Sequence, residues 1–161
     1  LLRCVTVDLH WRELSHVTTQ MQRSALLIEP GSTVLVAHAD RPAGSTAVED
    51  ALSHAPCVAV IERSALVATA FTVPGKQVLA VRAPYSGLVD SSDGDPPTVS
   101  QLLASPIPGH EAYWDGWSER YQYLYVLYTE SEADNPNPDA LTLVYEGPLF
   151  QLYRINPQQD P

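Results

Sequence analysis

The residues best placed to do chemistry are His38, Asp40 and Arg41, which directly follow the apolar stretch "TVLVAH" (33–38). They bring an imidazole, a carboxylate and a guanidinium together at the carboxyl end of an expected strand. Open α/β sheets bind ligands beyond such strand ends, and an imidazole changes charge near neutral pH. A hydrogen-bonded loop histidine is the plainer reading of the same residues. The other histidines stand at positions 10, 16, 54 and 110. His10 and His16 are six apart and share no helix face, and "HEAYW" (110–114) lacks the second histidine of HExxH.

A second group is aromatic: Tyr113, Trp114, Trp117, Tyr121, Tyr123 and Tyr125. Alternation at 121, 123 and 125 places those tyrosines on one face of a strand. Exposed and coplanar rings would stack on a sugar. Core or helix–sheet packing is the competing use of such rings. The candidate ligand-binding set is therefore His38, Asp40, Arg41, Tyr113, Trp114 and Trp117, with no catalytic residue assigned.

Other patterns fall short of their chemistry. "VLVAHADRPAGSTAVED" has the strand–loop–helix order of a phosphate site but only Gly44 of the glycine code, so a capped helix suffices. Asp90, Asp93 and Asp95 in "DSSDGD" do not keep calcium-loop spacing. No CxxC or cysteine/histidine pair suggests zinc, and no serine sits in a G-x-S-x-G elbow. Neither a metal nor a cofactor is expected. Cys4 and Cys57 could pair as one disulfide or remain two thiols.

The elements that must position these residues follow from periodicity. Apolar residues at Trp11, Leu14, Val17, Met21, Ala25 and Ile28 line one face of a helix over 11–28. Asp8 is its candidate cap, and "EPGS" (29–32) its stop. "TVLVAH" reads as a buried strand. Thr46 and Glu49 form a capping box for a short helix through Leu52. "CVAVIE" (57–62) reads as the next buried strand, and this order implies a parallel pair joined by a crossover. "SALVATAFTV" (64–73) fits either a strand or a helical turn. Strands are expected over Gln77–Val81, over Tyr121–Tyr128, and in a closing hairpin near 141–146 and 149–155. In that hairpin Gly147 permits the turn and Pro148 fixes its exit. "VSQLLA" (99–104) reads as a short helix between irregular loops.

The fold class expected is α/β. Residues 1–161 form a single domain, a three-layer-like mixed sheet with a parallel βαβ core and a C-terminal antiparallel hairpin. The length of 161 residues and the 45% hydrophobic content suit one globular core. Nineteen acids against nine bases give a net charge of −10. The absence of a basic stripe argues against nucleic acid as a partner. No run approaches the about 20 apolar residues that span a bilayer. The first residue is leucine, which points to a processed product or a piece of a longer chain.

Three phrases carry a resemblance: "YWDGWSERYQYLYVLY", "LTLVYEGPLFQLYRI" and "AVIERSALVATAFTVPGKQVLAV". Their order resembles the soluble C-terminal tail of bacterial polytopic membrane proteins of the GT-C glycosyltransferase type. The likeness covers about two-thirds of the chain, in phrases that are not catalytic. It implies a periplasmic or extracytoplasmic location after a last transmembrane helix, with the parent chain's own membrane region as partner. The catalytic carboxylates of that family lie in loops between membrane helices, and no such loop is present here. The resemblance thus implies a non-catalytic accessory domain that guides a glycan or a lipid-linked sugar. The alternatives left by the residues themselves are a small α/β enzyme working near His38 and a carbohydrate-binding module using the 113–125 aromatics.

Overall fold

A computed structural model describes residues 2–40, 52–70, 72–73, 75–77, 80–91, 95–109, 111–129 and 133–157; between residues 2 and 14 the side chains of Leu9, Trp11 and Arg12 are described. The chain is a mixed α/β fold built on one five-stranded sheet. Helix α1 spans Leu2–Ala25 and strand β1 Thr33–His38. A 3-10 turn over Ala55–Cys57 leads into helix α2, Val58–Arg63, and then strand β2, Leu66–Val67. Helix α3 spans Val99–Leu103 and α4 Trp117–Arg120, followed by strands β3 (Tyr123–Leu127), β4 (Leu141–Gly147) and β5 (Phe150–Ile155).

The strand order is β2-β1-β3-β5-β4. Strand β1 pairs in parallel with β2 on one side and β3 on the other, and the β3–β5 and β5–β4 pairs are antiparallel. The parallel core and the closing hairpin are both present. Every residue of β3 is buried, because both sheet faces are covered and a central strand then needs apolar side chains in both directions.

Alternation divides the core into two layers. Val34, Val36, Tyr123, Tyr125, Leu127, Phe150 and Leu152 point toward α1 and α2. From α1, Val17, Met21, Ala25 and Ile28 pack down onto them, as the three-and-four spacing predicts. On the other face, Leu35, Ala37, Leu124, Val126, Tyr153 and Ile155 pack under Leu102 and the 113–121 segment. The sheet is thus the middle of three layers.

Several sequence expectations are corrected. Helix α1 begins at Leu2, so Asp8 lies inside it rather than at its start, and Trp11 is 68% exposed rather than inward. "CVAVIE" is not a strand. From Val58 it runs into helix α2, Val58–Arg63, which buries Ala59 while leaving Ile61 84% exposed. Ser64 adopts the left-handed conformation at φ 52°, which stops the helix, and β2 follows at once. The crossover is real, but its second strand is β2, in the segment whose sequence fitted both states. Gln77, Ala80 and Val81 are irregular rather than extended in a strand. Gly147 is the last residue of β4, and its φ is not positive. It is needed because a Cβ there would drive into the ring of Phe150, 2.6 Å from Cζ and 2.8 Å from Cδ1. The Thr46–Glu49 capping box lies outside the described residues. Cys57 carries a free, half-buried thiol.

Candidate functional site

The carboxyl end of β1 is fastened rather than open. The His38 amide donates to the Pro97 carbonyl at 2.8 Å, and the Ala39 amide donates to Leu127 at 2.8 Å. Asp40 turns toward α3 and accepts from Ser100, from the amide at 3.1 Å and from the hydroxyl at 2.8 Å. This carboxylate sits where the first turn of α3 has unpaired N–H groups. Arg41 lies outside the described residues.

His38 continues the parity of Val34 and Val36, so its ring falls on the α1 side of the sheet. There it meets Tyr128 edge-on, with centroids 4.8 Å apart and planes at 63°. Its Nε2 is buried without a hydrogen-bond partner among the described residues. Burial lowers the imidazole pKa below its usual value, and the Asp95 charge only partly offsets this. His38 is therefore held neutral around pH 7.

The aromatic group lies on the opposite face. Tyr113, Trp114 and Trp117 pack against the second core layer, where Tyr121 is also buried. Tyr113 and Trp114 meet edge-to-face, centroids 4.8 Å apart and planes at 86°, so this pair does not build a flat stacking platform. Tyr121 precedes the strand and joins the second layer, whereas Tyr123 and Tyr125 face α1. The expected one-faced row of three tyrosines is thus broken at its first member. Burial pushes the phenols of Tyr113, Tyr121 and Tyr125 above their usual range. The structure does not gather the predicted set: His38 and the Tyr113–Trp117 rings occupy opposite sides of the sheet.

A cleft that sequence reasoning missed lies beside Tyr113. Its volume is about 350 Å³, and its walls are the 86–91 loop and the 111–120 segment. Arg120, the last residue of α4, joins these walls. Its Nη1 donates to the carbonyl of Asp115 at 2.9 Å and of Tyr113 at 3.4 Å, and its Nη2 to Gly87 at 2.6 Å. At Gly87 a Cβ would come within 3.3 Å of Nη2, a tight contact to which the guanidinium would have to yield slightly. The Tyr121 hydroxyl is shared between the carbonyls of Leu88 at 3.0 Å and Tyr113 at 2.8 Å. Asp115 Oδ2 accepts the Ala112 amide at 2.7 Å. Gly116, in the left-handed region at φ 64°, turns the chain into α4. The only sequence signal was an arginine four residues after a glycine in "GWSER", a spacing with no motif behind it.

Among the described residues no group of three histidine, cysteine, aspartate or glutamate side chains is gathered for a metal ion. No described helix is long and apolar enough to cross a membrane. No family model, no curated protein and no solved structure matches this chain.

Proposed function

We propose that this chain is a non-catalytic accessory domain of a bacterial membrane-embedded glycosyltransferase-like protein. In this reading it stands on the extracytoplasmic face against the transmembrane region of its own parent chain, where it guides a glycan or lipid-linked sugar. The observation that carries the reading is the first half of α1. The helix is continuous from Leu2, yet Val17 is the first of its described side chains to be buried. The described side chains before it, Leu9, Trp11, Arg12, Ser15 and His16, are all exposed, with Leu9 at 60% and Trp11 at 68%. Leu9 and Trp11 turned outward on this helix suit a second body, and tryptophan is favoured at a membrane interface.

Two further points support it. The phrases of the resemblance fall on the segment from Tyr113 through α4 into β3, on the β4–β5 hairpin and on α2 and β2, so most of their length is scaffold. The polar groups at the end of β1 and beside Tyr113 are also largely bound to main chain, as Asp40 and Arg120 illustrate.

The test is to translate the reading frame upstream of Leu1 and scan its hydropathy with a window of about 19 residues. Several apolar spans are expected. A short polar leader sinks the reading. In spheroplasts of cells making the intact protein, added protease should then remove this domain while cytoplasmic markers survive.

A further inference from the structure

We infer that the cleft beneath Arg120 is a binding site for a neutral polyhydroxylated ring of the size of one pyranose. The walls of the cleft keep hydrogen-bonding capacity that the described residues do not use. Arg120 has five N–H donors, and three are given to carbonyls. Two remain. Asp115 uses Oδ2 on the Ala112 amide and keeps Oδ1 free among the described residues. Glu111, Ser86 and Ser91 are exposed on the same walls. Donors and acceptors therefore alternate around one small space.

Charge narrows the ligand. A metal cation would meet the positive guanidinium of Arg120, held in place by its carbonyl partners. An inorganic anion would face the carboxylates of Glu111 and Asp115. A neutral molecule carrying several hydroxyls escapes both penalties, donating to the carboxylates and accepting from the guanidinium. Val89 and Tyr113 also line the cleft and are the apolar-bodied residues available to the C–H face of such a molecule. A volume of about 350 Å³ lies at the small end of ligand clefts, which run from about 300 to 1,000 Å³. This inference deepens the proposed function by naming what the accessory domain holds, and it rests on that reading only for the source of the sugar.

The experiment is an NMR titration of the 161-residue chain with neutral methyl hexopyranosides, and separately with inorganic phosphate and with Ca²⁺. The amides of Gly87, Ser91 and Ala112 report on the cleft. At least one pyranoside should shift them saturably, with a Kd on the order of 1 mM. Glu111→Gln, an exposed change that leaves the fold intact, should weaken binding by about tenfold. The inference is overturned if no pyranoside shifts these amides, if phosphate or Ca²⁺ does so instead, or if Glu111→Gln leaves the affinity unchanged. The titration uses this chain alone, so its failure leaves the membrane reading standing. A polar upstream sequence, in turn, would leave the cleft standing.

Discussion

The hydroxyl of Ser24 lies 2.8 Å from the hydroxyl of Tyr125 in the buried layer between α1 and the sheet. Ser24 gives its own proton to the Met21 carbonyl at 2.7 Å, so the phenol donates to Ser24. The pair fixes the rotation of α1 over β3, which apolar packing alone would define less sharply. Removing the two partners should therefore have unequal consequences. Ser24→Ala strands a buried phenol and should cost about 2 kcal/mol, whereas Tyr125→Phe leaves Ser24 still bonded and should cost about 1 kcal/mol. The double variant should be more stable than the sum of the singles implies. Urea unfolding of the three proteins measures all of this, and equal single costs would contradict the donor assignment.

Gly147→Ala should destabilise the chain by about 3 kcal/mol, because the new methyl enters the space of a ring that cannot move away. Phe150 is fully buried, stacked on Tyr145 with planes at 11° and packed at 5.9 Å against Tyr125. Shrinking the ring in a Gly147→Ala/Phe150→Leu double variant should recover part of the loss. Thermal unfolding distinguishes this from a backbone effect, which the second change would not relieve.

Arg120→Lys should loosen the cleft although charge is retained. An ammonium cannot reach the three carbonyls that the planar guanidinium spans. The expected cost is about 2 kcal/mol. Amide exchange should accelerate in the 85–88 turn and in the 112–116 segment, while α1 exchanges as before. Unchanged exchange in both walls would show that Arg120 is not their fastener.

The neutral His38 makes stability depend on pH in a defined direction. Burial lowers its folded-state pKa from the ordinary 6.5, so the unfolded chain takes up its proton first as pH falls. Stability from this group is complete above about pH 6.5 and declines below it until the folded-state pKa is passed. His38→Phe keeps a ring against Tyr128 and removes the titration. Its Tm should fall less than that of the natural chain between about pH 7 and about pH 5. Parallel Tm curves for the two proteins would refute the assignment.

The strands that matter most were legible because their patterns had only one good solution. "TVLVAH" is β1 without adjustment, and "YLYVL" is β3, since short β-branched and aromatic runs between breakers favour a strand buried on both faces. "CVAVIE" is largely apolar and β-branched as well, yet from Val58 onward it became a helix. A six-residue apolar run carries too little periodicity to decide, and the left-handed Ser64 that ends it has no glycine to announce it. Of the candidate residues, Tyr113 does reach a cleft, but its companions there were invisible. Arg120 acts through carbonyl oxygens, and every residue has one, so no side-chain pattern could reveal its partners.

The two margins of the sheet also bear on how the chain behaves in a crowd. A free strand edge can recruit another chain's backbone and seed fibres. Here one margin is β2, only two residues long, and the other is β4, whose ladder with β5 shifts between Leu143 and Tyr145. A shift of that kind bends a strand and spoils its flat presentation to a newcomer. The protein can therefore keep strongly β-forming sequences such as "YLYVL" because they run in the sheet's interior, where no incoming chain can reach their hydrogen-bonding groups. Concentrated solutions should stay free of fibrils, and straightening β4 by removing its irregularity would be the change that lets them grow.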